Sequence, residues 1–422
     1  MRIAVNGIKK IIILLINCGI LLFTFLIPKS DKIVIVGGWF GKRFADNSKH
    51  FFLNLNNSKE DLGIDKVVWI TRSDEIVDDL VSSGFDAYNV KSIKGIWYHF
   101  RAKYHVIDQT LSDINPFLSV RARRINLWHG FPLKNIGIFM RGNNKRKQKY
   151  KSLNWYIDKL STKGFWFDYY LLATSEFSAK IIGEAFEINE ERIVISGYPR
   201  NYETINNNPI KHTPYNEKSS YEEIKEYIED GYKIIGYFPT FRDKRETLIF
   251  GTESIEEINR FLDCCESVKI KFVGKFHFAG KNDKFGDFEN HNAFINLPSE
   301  ADVYTFLDQL DLLMTDYSSI YFDFLLWNRP ILFFPYDLEY YRDEDRGLIF
   351  DYEEFTPGPK AYSIEELQTF FSQNIDVINE KYEAEYRQKA DLLKTKIFGD
   401  YNNMGIEHLI NQIRNIGLEE EK

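Results

Sequence analysis

At 422 residues the chain is too long for one ordinary core, and 44% hydrophobic with 16% aromatic residues exclude a disordered chain. A formal net charge of −8 argues against a general nucleic-acid binder, which needs clustered Lys and Arg to neutralise phosphates. Cys18, Cys264 and Cys265 make no disulfide framework and no Cys-x-x-Cys metal spacing, which suits a reducing cytosolic setting.

The chain opens with Arg2, Lys9 and Lys10 ahead of an almost wholly apolar run from Ile11 to Ile27, broken by Asn17, Cys18, Gly19 and Thr24. Read alone, this is a signal peptide or a short membrane helix, below the roughly 20 residues a span usually takes. No small-residue cleavage site follows; Pro28-Lys29-Ser30-Asp31 stands there instead.

From Lys32 the pattern becomes alternating α/β. Short apolar runs at Ile33–Val36, Val67–Ile70, His105–Asp108, Arg124–Leu127, Tyr169–Ala173 and Ile193–Ser196 read as buried parallel strands. Between the fourth and fifth lies a basic and aromatic stretch, with Arg141, Lys145, Arg146, Lys147, Lys149, Lys151, Lys159 and Lys163 among Phe139, Tyr150, Trp155 and Trp166. It suits an anionic lipid interface or, more blandly, a solvated basic helix and loop. Asn206 to Ser220 is polar, with Pro209 and Pro214, and reads as a linker. A second alternating set follows at Lys233–Tyr237, Lys269–Val273, Ala293–Asn296, Leu312–Thr315 and Ile331–Phe334; Ile364 to Glu420 reads as largely helical. The expected organisation is an apolar segment 1–30, a Rossmann-like domain 31–205, a linker 206–230 and a second Rossmann-like domain 231–422 with terminal helices. Two such domains would face a cleft, with ligands beyond the carboxyl ends of the strands.

Four strand exits carry candidate chemistry. In Asp311–Leu325, Ser318 and Ser319 follow a strand and open a helix, so they are either a diphosphate cradle with Asp316 or ordinary helix caps. In Asn126–Lys134, His129 sits just past a strand, flanked by Gly130 and Pro132, and is either a general base or a structural loop histidine. Lys275 and His277 follow another strand and can meet phosphate oxygens. Arg242, in Tyr237-Phe-Pro-Thr-Phe-Arg-Asp243, is a bidentate phosphate clamp or half of an ion pair. Chance explains one polar residue at a strand exit more easily than four.

In order and spacing the chain resembles the CDP-glycerol:poly(glycerophosphate) glycerophosphotransferase family of wall teichoic acid assembly. The resemblance rests on Gly41-Lys-Arg-Phe-Ala-Asp-Asn-Ser-Lys49, Trp128-His-Gly-Phe-Pro-Leu-Lys134, Ala173-Thr-Ser-Glu-Phe-Ser178, Ser196-Gly-Tyr-Pro-Arg-Asn201, Phe238-Pro-Thr-Phe-Arg-Asp243, Thr315-Asp-Tyr-Ser-Ser-Ile320 and Arg329-Pro-Ile-Leu-Phe-Phe334. It implies a GT-B arrangement of two Rossmann-like domains and no required metal or other cofactor. His129 would be the base toward an acceptor hydroxyl. His277, Arg242, Ser318 and Ser319 would hold the donor diphosphate with Lys275, and Asp316 and Asp323 would orient the site or reach polyol or ribose hydroxyls. Gly130, Lys134 and Arg200 complete the set on the acceptor side. Phe131 stands where the family often has Thr, and Phe278 where Pro is common.

The implied donor is CDP-glycerol or CDP-ribitol, and the implied acceptor a lipid-linked saccharide or polyol phosphate. The apolar N-terminus looks closest to primase-like members. A spanning helix with its basic end inside would export the body, away from cytosolic nucleotide donors. The expected placement is therefore peripheral, on the cytoplasmic face of the cell membrane. The competing readings are a GT-B glycosyltransferase using a nucleotide sugar and a non-catalytic nucleotide- or lipid-binding scaffold.

Overall fold

The computed structural model describes residues 16, 19–20, 22–141, 169–202, 215–275, 291–400 and 405–419. The chain divides into two compact units: Met1–His129 with Asn143–Ile210 and Tyr401–Lys422, and Gly130–Gly142 with Lys211–Asp400.

The first unit holds a seven-stranded sheet in which every strand pair is parallel. Its strands are β1 (Ser30–Val36), β2 (Lys66–Thr71), β3 (Asp86–Asn89), β4 (Ala102–Ile107), β5 (Arg123–Asn126), β6 (Tyr170–Ala173) and β7 (Ile193–Ile195), in the order β3-β2-β1-β4-β5-β6-β7. Apolar residues such as Val34, Ile35, Val68 and Ile70 leave water almost completely, as a sheet covered on both faces requires. The helices are α1 (Asp46–Ser58), α2 (Asp74–Ser82), α3 (Ile93–Arg101) and α4 (Glu176–Phe186). Ser73, Ser92 and Ser175 cap the last three, each hydroxyl accepting a first-turn N–H.

The second unit holds a five-stranded parallel sheet of β8 (Lys233–Tyr237), β9 (Ile270–Gly274), β10 (Phe294–Asn296), β11 (Leu312–Thr315) and β12 (Ile331–Phe333), ordered β10-β9-β8-β11-β12. Helices α5 (Tyr215–Glu229), α6 (Ile255–Ser267), α7 (Ile320–Phe324), α8 (Ile364–Phe371), α9 (Ile375–Glu385) and α10 (Arg387–Phe398) belong to it. Its core is rich in Phe: Phe250, Phe261, Phe272 and Phe371 make edge-on or tilted ring contacts.

In both sheets the chain builds outward on one side of the first strand and then returns to its other side. The switch points are therefore β1/β4 and β8/β11. In open α/β sheets, ligands bind beyond the strand carboxyl ends at such points.

Two boundaries differ from the sequence reading. Of the expected linker 206–230, residues up to 214 lie outside the described residues, but the rest is α5. Ile224 is buried, and the Glu217 carboxylate accepts hydrogen bonds from the Asp302 amide (2.7 Å) and the Thr305 hydroxyl (3.0 Å). At the other end, helix Ile406–Glu419 groups with the first unit rather than the second. Ile410 and Ile413 are buried beside Val34 and Phe51, and Arg414 donates to the Leu62 carbonyl at 2.5 Å.

Candidate active site

The β8/β11 switch point is built around Arg242, which is fully buried. Its Nε and Nη2 make a bidentate pair with Asp337 (2.9 and 2.8 Å), and Nη1 donates to Asp316 (2.8 Å) and to the Thr240 carbonyl. The rings of Tyr317, Tyr336 and Tyr341 lie about it, with centroids 4.9–5.1 Å from the guanidinium. Burial works against the cation, yet Asp316 and Asp337 outweigh it and raise its pKa. Asp316 in turn accepts from the Thr240 amide at 2.8 Å and from that of Tyr317 at 2.5 Å. Tyr317 donates its hydroxyl to Asp337 at 2.9 Å. Thus one arginine ties together the exits of β8, β11 and β12.

This geometry corrects the phosphate-clamp reading of Arg242. Its donors point at internal carboxylates and a carbonyl, and none of its surface reaches solvent. Its work is to hold the loop on which Ser318 and Ser319 stand. Both serines are half-exposed. Ser319 occupies the position before α7, but its hydroxyl caps nothing; Ser318 Oγ reaches only a long 3.5 Å contact with the Ile320 amide. Ser319 therefore does not act as the side-chain cap of this helix. The helix is only five residues long, so little dipole stands behind them. Asp323 lies inside the unit, buried within α7.

Cationic groups lie close by. Lys134 is half-buried, on a strand-like segment that pairs antiparallel with Leu348; Asn135 N donates to Gly347 O and Ile349 N to Leu133 O. Burial, with the charge of Arg346, brings its pKa down to about 8, against the pull of Asp316 and Asp243. Arg346 makes a bidentate pair with Asp243. Lys275 follows β9 and donates to the Ala301 carbonyl. His277 lies outside the described residues, as does the basic and aromatic stretch from residue 142 to 168. Phe131 is buried, with its ring against Phe322 and Phe350.

In the first unit, His129 follows β5, beside the β1/β4 switch point. Its Nδ1 lies 3.2 Å from the carbonyl oxygen of Asp108. A carbonyl only accepts, so Nδ1 carries the proton, and in the neutral ring Nε2 is the basic nitrogen. The backbone around it is held on several sides. Asn47 Nδ2 donates to Trp128 O (2.8 Å) and Arg200 Nη1 to His129 O (3.1 Å). Arg200 is itself buried against Asp46 at 2.5 Å. Trp128 has φ +58, a left-handed conformation that a bulky side chain adopts only when its surroundings impose it. Gly130 follows at φ +136, where a side chain would be strained.

The carbonyl that orients His129 is fixed from below. The Asp108 carboxyl accepts from Trp39 N and Ser48 N, both at 3.2 Å. Asp113 accepts from the amides of Asp108, Gln109, Thr110 and Phe40 (2.8–3.2 Å). Burial, together with the charges of Asp113 and Asp46, pushes the Asp108 carboxyl well above its ordinary pKa. Gly38 packs tightly there: a Cβ on it would stand 2.9 Å from Asp108 Oδ2.

Sequence reading gave no role to Asp108, Asp113, Asp46 or Asp337. Asp108 ends a predicted strand, but its value depends on β4 being the strand at which the order reverses. That is visible only in the sheet.

Two parallel α/β units, one with a carbonyl-oriented histidine at a strand exit and the other with a serine pair on a charge-locked loop, define the class as an α/β group-transfer enzyme. Residues 21–398 match the family described as CDP-glycerol:poly(glycerophosphate) glycerophosphotransferase, and the chain belongs to that family. It is similar to the teichoic acid poly(glycerol phosphate) polymerase of Bacillus spizizenii, at 29% identity over 368 residues, 81% of this chain and 83% of the relative. It is also similar to the teichoic acid glycerol-phosphate transferase of Staphylococcus aureus, at 28% identity over 393 residues, 90% and 92% of the two chains. Among solved structures, a variant of the wall teichoic acid polymerase TagF soaked with CDPG superposes with a TM-score of 0.68 at 22% identity, covering 93% of this chain and 91% of that one. That likeness shows a shared fold.

Proposed function

We propose that this transferase moves glycerol phosphate, or ribitol phosphate, from a CDP-alditol to a hydroxyl of a lipid-linked acceptor, releasing CMP, in the assembly of teichoic acid or a related surface polymer. The observation that carries the reading is the Nδ1–H bond from His129 to the Asp108 carbonyl, which presents Nε2 as a base. The acceptor oxygen attacks the β-phosphorus as its proton passes to Nε2. The new P–O bond replaces the bond to the bridging oxygen, which leaves with CMP. Ser318 and Ser319 are the donors assigned to the diphosphate, with His277 and Lys275. Lys134 supplies positive charge, and no metal is part of the reaction. Arg242 acts through Asp316 and the loop, rather than on phosphate. The GT-B arrangement implied by the family belongs to the same reading, as does placement of the body on the cytoplasmic face of a membrane that carries its acceptor.

The test is to incubate pure protein and a lipid-linked disaccharide with CDP-glycerol, CDP-ribitol, UDP-sugars and GDP-sugars in turn, following CMP release and product mass. A mass gain of one alditol phosphate from a CDP-alditol is expected. Transfer from a nucleotide sugar alone would replace this reading with a glycosyltransferase.

A further inference from the structure

A polar cavity of about 490 Å³ opens in the second unit, apart from the strand exits described above. Asp311 and Pro330, which line it, immediately precede β11 and β12. It therefore sits at the amino-terminal ends of these strands, opposite the exits that carry Ser318 and Ser319. Helix α9 contributes Asn379 and Glu383, one turn apart on one face.

Two of the lining side chains carry an unmet acceptor. Gln309 is only 9% exposed, and its Nε2 donates to Tyr221 O at 3.4 Å. A carbonyl only accepts, so that contact fixes which end of the amide is NH2 and leaves Oε1 on the other side. Among the described residues, neither Gln309 Oε1 nor the buried Asn379 Oδ1 has a hydrogen-bond partner. Buried acceptors are nearly always met in native proteins, so two on one cavity wall call for a donor that enters it.

The surrounding charges decide the kind of donor. Asp311 accepts from Ile234 N at 2.9 Å and from Lys233 at 3.4 Å, and Asp308 from the Tyr221 hydroxyl at 3.0 Å. Both Glu383 oxygens accept from Arg387 Nε. Each carboxylate of the wall thus already faces a cation or a hydroxyl, and a polyamine would find no unbalanced charge to neutralise. Among the described residues, no group of three His, Cys, Asp or Glu side chains can hold a metal ion. Arg329 spends Nη1 on the carbonyls of Asp308 and Leu310 (2.8 and 2.5 Å), which leaves Nε and Nη2 to donate. The fitting ligand is neutral and both gives and takes hydrogen bonds, as hydroxyls do. Ile228 and Pro330 add apolar surface for its carbon skeleton.

We propose that this cavity is a second small-molecule site, which binds a neutral polyhydroxylated unit, a saccharide ring or an open-chain alditol, through Gln309, Asn379 and Arg329. The site goes beyond the transfer reading and does not depend on it. A ligand there lies at the far end of the strands from the serine pair, so it is held rather than reacted.

The test titrates the full chain with glucose, ribitol and putrescine, with binding read by saturation-transfer NMR and calorimetry. Binding of glucose or ribitol with Kd on the order of millimolar is expected, about −4 kcal/mol by that constant, and the better arm tells ring from open chain. Asn379→Leu and Gln309→Met each remove one acceptor at similar size and should weaken that binding about five- to tenfold. Each variant is checked for an unchanged melting temperature, and either alone suffices if the other fails to fold. Binding of neither polyol would overturn the proposal, as would full binding by the folded variants or a preference for putrescine. CMP release is not read, so failure of the transfer reading leaves this result intact.

Discussion

The two units solve one problem, holding a functional loop at a switch point, with different chemistry. In the first, the carboxyls of Asp108 and Asp113 are held by backbone amides, and His129 hangs from a backbone carbonyl. In the second, the carboxylates of Asp316 and Asp337 are held by the buried Arg242 and by Tyr317. An amide-built loop survives loss of the side chain it presents. A loop locked by buried charge does not survive loss of its counter-ion, because the remaining charges are left without compensation. The contrast predicts which substitutions lower activity and which lower stability.

The largest expected effect is on chemistry in the first unit. His129→Ala removes the proposed base and should lower transfer by about 10²- to 10⁴-fold. The oxygens that held its loop are backbone atoms, so the melting temperature should stay within a degree or two of wild type. CMP release near the wild-type rate would remove His129 from the base role. In the second unit the balance reverses. Arg242→Met leaves Asp316 without its buried cation and Asp337 with Arg245 as its remaining partner, and should cost about 3–5 kcal/mol, read by denaturant unfolding. A stable, folded Arg242→Met protein with only a raised donor KM would restore the phosphate-clamp reading that the buried geometry contradicts.

Ser319 sharpens the boundary between these classes. Its hydroxyl caps no helix end, so Ser319→Ala should leave stability unchanged. If the hydroxyl donates to a charged phosphate oxygen, the donor KM should rise about tenfold. An unchanged KM would assign the diphosphate to other donors.

Much of this was legible in the sequence because apolar runs such as Lys32–Val36 and Lys233–Tyr237 are also the sheet centres. The polar strand β3, Asp86–Asn89, escaped because Asp-Ala-Tyr-Asn has no apolar run; it is an edge strand stabilised by pairing with β2. Helix α5 escaped because its exposed faces are rich in Glu and Lys, and only its fit to the unit makes it more than a linker. That His129, Ser318 and Ser319 follow strands was readable in the sequence. The ion-pair network of Arg242 was not. It depends on Asp337, 95 positions later, and on three tyrosines gathered from two other exits. Long-range pairing of that kind leaves no local pattern.

The smallest effect tests whether the second unit's cationic side also acts on substrate. Lys134 has its pKa lowered to about 8 by burial and by Arg346. A lowered lysine pKa means that the charged form is present below about pH 8 and is lost as pH rises through it. If its charge supports the transferring phosphate, kcat/KM with the CDP-alditol should fall along an alkaline limb near that pH. Lys134→Arg keeps the charge at every working pH, so that limb should move upward by a unit or more while the neutral-pH rate changes only a few-fold. Lys134→Met should lose the limb together with the rate below pH 8, leaving a flat, low profile. A limb that stays near pH 8 in both variants would belong to another group, and Lys134 would then join Arg242 as part of the scaffold rather than the chemistry.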